Sequence, residues 1–356
     1  MAAIFVATLA TRAPHYTVTI DVAPDPLLAS APPLDNSDWA QVFNPTWVQP
    51  TRATDNQSGL LVRSQNCTYT DDGCPYCAGP GQKASWLTWV PLDGDTAGGQ
   101  PKVRSRVDAD AAVFGPFDCE SDPDCADIWG AEDPRLTYDP ETELYYLLYN
   151  ANGGRSGGGW KVSLRVATTA DPRRRDGWTR YPALVDNAKS GSIVWRRRGP
   201  HYLIWGCART LQIAPSIGRS LLRWDFNRTK PLLSTRAAYW DSQFVESAMP
   251  PLELSTGDLL FFYDSLGVWN ATGEKGFQPG WAVLSGSDPT QVVQRAETPP
   301  MPWRLPWERG APPWRCNVPL VTNLGGGHAL GADRFRLYFG GADAATGTAV
   351  ATVVVS

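Results

Sequence analysis

The chain has 356 residues, a formal net charge of −4 and an isoelectric point near 5.5. Apolar residues make up 42% of the sequence and charged residues 19%, which is the balance of a globular protein and not of a disordered one. No basic field is available to hold a phosphate backbone, and no run of about 18 apolar residues occurs. We therefore expect neither a nucleic-acid partner nor a membrane span.

Aromatic residues and turn-forming residues are both frequent. The sequence contains 16 Trp, 12 Tyr and 11 Phe together with 33 Gly and 31 Pro. Many aromatic and turn residues, with few long helical periods, predict an all-β chain of short strands.

In chain order, residues 1–39 are predicted to be an N-terminal extension and residues 40–356 a catalytic domain. The segment 42–92 offers three strands, FNPTWV, GLLVRSQ and SWLTWVPL. A unit then recurs four times, consisting of a turn, an aromatic strand and a second strand that ends in a small polar turn. The aromatic strands centre near Tyr146, Leu203, Phe261 and Tyr338.

The repeat length points to one architecture. Successive copies are about 57 to 77 residues apart, and four-stranded units of this size, arranged radially, are the blades of a β-propeller. Four copies and the segment 42–92 make five units. The alternative is a β-sandwich with long loops, and the repeat favours the five-bladed β-propeller.

The cysteines and the glycosylation triplets favour a protein of the secretory pathway or the extracellular space over a cytoplasmic one. Cys74 and Cys77 form a C-x-x-C motif, but loop residues flank it on both sides, which disfavours redox catalysis. A zinc site formed with Cys67 lacks an obvious fourth ligand. The preferred interpretation is loop-stapling disulfides, with Cys119 paired to Cys125 and one pair among Cys67, Cys74 and Cys77. Asn-x-Ser/Thr triplets begin at Asn56, Asn66, Asn227 and Asn270.

Polar residues recur where each unit begins. In a propeller these positions lie at one mouth of the central channel, so the side chains are expected to meet there. They are Asn44, Arg63, Glu132, Asp133, Arg135, Arg209, Asp241, Glu246 and Asp343. Two carboxyl groups facing a sugar are the usual means of cleaving a glycosidic bond, because one donates a proton and the other activates the attacking group. Each has a plain alternative: Asp133 before Pro134 also forms turns, and Glu132 or Asp133 also pairs with Arg135.

The sequence Glu132-Asp133-Pro134-Arg135, followed by a YY-x-x-Y strand, resembles the signature of glycoside hydrolase family 130. Further motifs of that family follow the same order: FNP at 43–45, LVR at 61–63, VE at 245–246 before PP at 250–251, and YFGGAD at 338–343. The resemblance covers about residues 40–356. It implies a five-bladed propeller that acts on β-mannosides, either as a phosphorylase or as a mannosidase.

The resemblance also implies residue roles. Asp133 would be the catalytic acid, in an inverting reaction that in the phosphorylases relays the proton through a mannose hydroxyl. The residues expected to bind the mannoside are Asn44, Arg63, Arg135, Asp264 and Asp343. No cofactor or metal is expected.

Departures from the family pattern bear on the reaction. The phosphorylases bind inorganic phosphate through a cationic cluster, but here Gln243-Phe244 stands where a lysine is expected and Asp264 where a histidine is expected. Glu246 stands where phosphorylases more often have glycine, and it could serve as the base that activates water. Hydrolysis of a β-mannoside is therefore favoured. A phosphorylase that binds phosphate through Arg209 and Arg236 and a propeller that binds glycans without cleaving them remain the alternatives.

Overall fold

The computed structural model describes residues 14–31, 34–66, 84–95, 99–117, 127–153, 162–268, 273–314 and 316–356. Five antiparallel sheets form the blades of a propeller, which confirms the predicted all-β, five-bladed architecture. Helix is confined to single turns, at Arg52–Thr54, Ala109–Ala111, Phe226–Arg228 and, as α1, Pro306–Arg309. Among the residues described, no helix has the length and apolar character needed to cross a membrane.

The chain starts with strand β1 (Tyr16–Val22) and a short ribbon of β2 (Ser30–Ala31) and β3 (Leu34–Asp35). Blade 1 contains β4 (Gln41–Val48), β5 (Gly59–Gln65), β6 (Trp86–Asp93), β7 (Lys102–Val103) and β8 (Ala112–Phe114). Blade 2 contains β9 (Ala131–Asp139), β10 (Leu144–Asn152), β11 (Val162–Thr169), β12 (Thr179–Arg180) and β13 (Val185–Asp186).

Blade 3 contains β14 (Gly191–Val194), β15 (Tyr202–Trp205), then, after β16 (Cys207–Ala208), β17 (Thr210–Pro215) and β18 (Lys230–Ser234). Strand β16 belongs to blade 4, with β19 (Phe244–Ser247), β20 (Leu252–Glu253), β21 (Leu259–Val268), β22 (Lys275–Leu284) and β23 (Val292–Arg295). Blade 5 contains β24 (Thr322–Gly331), β25 (Arg334–Gly341), β26 (Ala345–Val355) and β1.

Blade 5 joins the two ends of the described chain. Strand β1 pairs antiparallel with β26 over seven residues, from Tyr16 opposite Val355 to Val22 opposite Ala349. Residues 16–22, part of the segment 1–39 that was expected as an extension, thus supply the outer strand of this blade. Pairing between the first and last strands closes the ring of blades.

The aromatic strands of the sequence repeat are β10, β15, β21 and β25. Each lies between two neighbouring strands of its sheet and against the next blade. Tyr149, Phe261 and Phe339 are accordingly fully buried. Burying side chains of this size contributes about 1.5–3 kcal/mol each, so these strands carry much of the core.

Two cysteines can be described. Cys207 is a free thiol and Cys316 is disulfide-bonded. The disulfides predicted from sequence involve cysteines outside the described residues, namely Cys67, Cys74, Cys77, Cys119 and Cys125.

Candidate active site

Two inner strands carry the same irregularity at one mouth of the channel. In β4 the bulge consists of Asn44 and Pro45, and in β9 of Asp133 and Pro134, each pair opposing a single residue of the neighbouring strand. A bulge bends its strand and removes a ladder hydrogen bond, so proline, which has no N–H, is tolerated there. The two central residues of the motif Glu132-Asp133-Pro134-Arg135 therefore form a bulge at this mouth of the channel.

The backbone at this mouth is left-handed at several non-glycine residues. The φ angles are 46° at Asn44, 50° at Asp133, 58° at Ser190 and 49° at Asp343. This conformation costs an L-residue about 1–2 kcal/mol, and such costs cluster at functional sites. Gly340 of the YFGGAD motif leaves space for Asn44, because a Cβ at position 340 would lie 2.1 Å from Asn44 Oδ1.

A cavity of about 500 Å³ opens at this mouth, and all five blades line it. We call it the active-site cavity. Its charged lining residues in the described chain are two cations and four carboxyl groups: Arg63, Lys189, Glu132, Asp133, Glu246 and Asp343. Carboxyl groups therefore outnumber cations in the described part of this lining.

Asp133 is held by donors on both oxygens. Asn44 Nδ2 and Arg63 Nη1 donate to Oδ1 at 2.8 and 2.9 Å, and Asn150 Nδ2 donates to Oδ2 at 2.9 Å. Burial alone would raise the pKa of Asp133, but the charges of Arg63 and Lys189 hold that pKa far below its usual range. In the free protein Asp133 is therefore ionised.

Asp343 differs from Asp133 in its proton affinity. Burial, opposed by Arg63 and reinforced by the charges of Asp133 and Glu132, raises the pKa of Asp343 to about 7. Asp343 thus holds a proton for part of the time at neutral pH. Arg63, whose Nη2 also donates to Glu132 Oε1 at 2.5 Å, faces all three carboxyl groups.

Glu246 lies on β19 of blade 4 and also lines the active-site cavity. Ser190 Oγ donates to Glu246 Oε1, and Cys207 lies directly opposite Glu246 in the β16–β19 register. The charge of Glu246 is the largest cause of a raised pKa at Lys189, and burial opposes it. Burial and the neighbouring Glu246 also raise the pKa of the Cys207 thiol, so it stays protonated. Glu246 and Lys189 therefore interact electrostatically within the cavity lining.

Two predicted ligands lie beneath the cavity and do not line it. Asp264 is fully buried, directly across from Glu246 in the β19–β21 register, and accepts the N–H of Leu324 at 3.3 Å. Burial, and then the charge of Glu246, raise the pKa of Asp264 well above its usual range. Arg135 is 1% exposed and reaches Asn323 Oδ1, a cavity residue, at 3.5 Å. Both support the cavity from behind.

The two candidate phosphate ligands lie elsewhere. Arg209 is exposed on the surface. Arg236 binds Asp241, with Nη2 2.8 Å from Oδ2. Neither belongs to the cavity lining. Phe244 and Phe277 stand in that lining instead, with ring centroids 5.4 Å apart.

The sequence analysis missed Lys189, Ser190 and Asn150. Lys189 and Ser190 stand immediately before inner strand β14, so the rule that selected Asp133 would have found them. Asn150 lies in the middle of an aromatic strand, and only its hydrogen bonds reveal it. Within the described ranges, no group of three or more His, Cys, Asp or Glu side chains is arranged to hold a metal ion.

A propeller with carboxyl groups from several blades in the cavity at one mouth has the arrangement of a glycoside-cleaving enzyme. The model of glycoside hydrolase family 130, described as beta-1,4-mannooligosaccharide phosphorylase, matches residues 121–355, well over half of the chain. The chain belongs to glycoside hydrolase family 130. This confirms the resemblance seen in the sequence, and the protein is an enzyme of the glycosidase or glycoside phosphorylase type.

Individual relatives are distant. The chain is 27% identical over 226 residues to a beta-1,2-mannobiose phosphorylase of Thermoanaerobacter sp. (strain X514), an alignment that covers 63% of this chain and 67% of the relative. A solved structure described as "The GH130 family of mannoside phosphorylases contains glycoside hydrolases that target beta-1,2 mannosidic linkages in Candida mannan" superposes with a TM-score of 0.67 at 21% identity, covering 93% of each chain. Beta-1,2-mannobiose phosphorylase from Listeria innocua gives 0.62 at 18%, covering 93% of this chain and 96% of that one. At such identities these structures support the fold alone.

Proposed function

We propose that the protein hydrolyses β-linked mannosides with inversion at the anomeric carbon. The observation that carries this proposal is the pair Asp133 and Glu246, two carboxyl groups from different blades in one cavity. Inverting glycosidases place an acid and a base on opposite faces of the sugar, about 6.5–9.5 Å apart, with room for water between base and sugar. The sugar ring would be held by Asn44, Arg63 and Asp343.

Glu246 suits the role of base. A general base must lie where it can take a proton from the attacking water, and Glu246 lines the cavity in which that water would stand. Ser190 fixes one oxygen of Glu246 and leaves the other for water. Phe244 and Phe277 flank this part of the cavity and reduce the space for competing solvent.

In our proposal, Asp343 supplies the proton for the leaving group, and Asp133 relays it. Asp133 is ionised in the free protein, whereas Asp343 holds a proton near neutral pH. Both carboxyl groups lie beside Arg63, so a sugar hydroxyl bound between them can pass the proton on. Cleavage takes one proton from the pair Asp343 and Asp133 and places one from water on Glu246. After cleavage the pair regains a proton from solvent and Glu246 releases the proton it took, so the protons balance.

Phosphorolysis is the second candidate, and the names of the curated relatives favour it. Lys189 and Arg63 would then be the cations available to phosphate in the cavity. The charge of the site favours water, because four carboxyl groups line the cavity and Arg63 is already bound to two of them. Arg209 and Arg236 give phosphate no further cation there.

The test is incubation with β-1,4- and β-1,2-mannobiose, with and without inorganic phosphate, followed by identification of the products. Hydrolysis gives mannose at a rate that does not depend on phosphate. Release of mannose 1-phosphate, only when phosphate is present, would establish the second candidate. Asp133→Asn should lower either activity by about 10²–10⁴-fold, because Asn cannot donate the proton. If neither mannobiose is cleaved under any condition, a glycan-binding role replaces both.

A further inference from the structure

The inner strands have a second set of ends, at the other mouth of the channel. A cavity of about 460 Å³ opens there, and we call it the far mouth. Along β4 the chain runs from Asn44 in the active-site cavity to Trp47 at the far mouth, and along β9 from Asp133 to Tyr138. The two cavities therefore lie on opposite faces of the propeller.

Aromatic rings surround the far mouth. They come from blades 1, 2, 3 and 5 and belong to Trp47, Tyr138, Tyr145, Trp195 and His328. Trp47, Tyr138, Trp195 and His328 are each partly exposed. Ligand sites are typically cavities of about 300–1,000 Å³ lined by aromatic side chains with a few polar groups between them, and the far mouth has this size and lining.

The rings are fixed from behind by specific contacts. Trp195 Nε1 donates to Asp139 Oδ1 at 3.0 Å, and the Trp195 ring stacks on His201 with centroids 5.8 Å apart. The hydroxyl of Tyr145 donates to the carbonyl oxygen of Gln49 at 2.6 Å. Rings that are already immobile lose little conformational entropy when a ligand binds.

Blades 1 and 5 each contribute one ring to a stacked pair. The rings of Trp47 and His328 lie 4.3 Å apart at an angle of 20°. His328 Nε2 is 2.7 Å from Asp95 Oδ2, and Asp95 also accepts the hydroxyl of Tyr338 at 2.6 Å. This layer of hydrogen bonds behind the rings holds their orientation, as expected for a built site.

The charge of the far mouth selects the class of ligand. Apart from the titratable His328, Glu253 is the one residue of the described lining that carries a formal charge. A strongly charged ligand would therefore find no group of oppositely charged side chains in this part of the lining. A neutral sugar fits, because its C–H faces stack on aromatic rings while its hydroxyl groups reach Gln49, Thr137 and Glu253.

We propose that the far mouth is a second binding site, for a neutral oligosaccharide. That the oligosaccharide is a β-mannoside rests on the proposed function. A long glycan held on this face keeps the enzyme close to its polymer while chain ends enter the active-site cavity, which raises the local substrate concentration without a new catalytic contact.

The experiment uses the Asp133→Asn protein, so that the sugar is not consumed, and titrates it calorimetrically with β-1,4- and with β-1,2-mannotetraose. Two sites per chain are expected. Adding Trp195→Ala should leave one site, whereas adding Tyr239→Ala, which removes an exposed aromatic ring outside both cavities, should leave two. The site that remains in the Trp195→Ala protein also reports that it is folded.

Oxidative footprinting of the protein with Trp195 intact gives a second readout that needs no folding control. Protection of Trp195 and Trp47 by either tetraose supports the proposal. If the active-site cavity binds sugar and neither ring is protected, the far mouth is not a sugar site. If the active-site cavity binds neither tetraose, the proposed function fails. The far mouth is then still tested by protection of Trp195, which is measured also with a cello-oligosaccharide.

Discussion

Asn150 joins Ser190 to Asp133 across the boundary between blades 2 and 3. Its Oδ1 accepts the backbone N–H of Ser190 at 2.7 Å, and its Nδ2 donates to Asp133 Oδ2 at 2.9 Å. Because Ser190 Oγ donates to Glu246, three hydrogen bonds run from one proposed catalytic carboxyl group to the other. Their separation, on which an inverting reaction depends, is therefore fixed by the protein.

The first prediction concerns the hydroxyl group of Ser190. Ser190→Ala should lower kcat roughly 10- to 100-fold, because a hydrogen bond to a charged group contributes about 1.5–3 kcal/mol and here it orients the base. Ser192→Ala is the matched control, since Ser192 is buried two residues further along the chain, in β14, but bonds Ser247 at 2.8 Å. Equal kcat losses in the two variants, measured by steady-state kinetics, would refute a role for Ser190 in orienting Glu246.

The second prediction concerns the cation beside the base. Lys189→Met should lower kcat about 10-fold, because the charge of Lys189 interacts with Glu246 and with Asp133, the two carboxyl groups of the proposed reaction. Lys189→Arg keeps the charge and should retain most of the parent kcat. Both variants are compared by steady-state kinetics well below their unfolding temperatures. An unchanged kcat in Lys189→Met contradicts a role for this cation in the reaction.

The third prediction concerns the proton on Asp343. The pKa of Asp343 is raised to about 7 by burial, and the proposed reaction needs its protonated form. The kcat/KM of the parent should therefore fall as the pH rises through about 7. Asp343→Asn should have a lower kcat/KM and no limb in this range. A limb that persists in Asp343→Asn belongs to another group, and Asp343 is then not the proton store.

The fourth prediction concerns the buried Asp264. Its pKa is raised above the unfolded value of about 3.9 by burial and by Glu246, so its contribution to stability is complete below that value and is lost as the pH rises towards the folded pKa. Asp264→Asn stays neutral throughout. Relative to this variant, the free energy of unfolding of the parent should fall with rising pH, by at most about 1.4 kcal/mol per pH unit. Parallel stability curves from denaturant titrations would mean that Asp264 is ionised in the folded protein.

The sequence predicted the propeller because it repeats a unit that contains an aromatic strand. It selected Asp133, Glu246 and Asp343 because they stand at equivalent places in that repeat. It did not reveal that β1 closes blade 5. That pairing joins opposite ends of the chain and leaves no local signal.

The layer behind the cavity was also beyond the sequence. A polar residue near an inner strand can face the cavity or lie beneath it, and strand register decides which, as it does for Asp264. Arg236 was predicted as a possible phosphate ligand, and its pairing with Asp241 is a tertiary contact that the sequence does not show. Asn150 has no pattern of its own, since its function arises from two hydrogen bonds to distant residues.

The most direct test of hydrolysis by the Asp133–Glu246 pair is a time-resolved NMR measurement of β-mannobiose cleavage in isotope-labelled water without phosphate. The proposed reaction predicts that mannose first appears as the α anomer, with the labelled oxygen at its anomeric carbon. First appearance of the β anomer, or cleavage that begins only after phosphate is added, would contradict it.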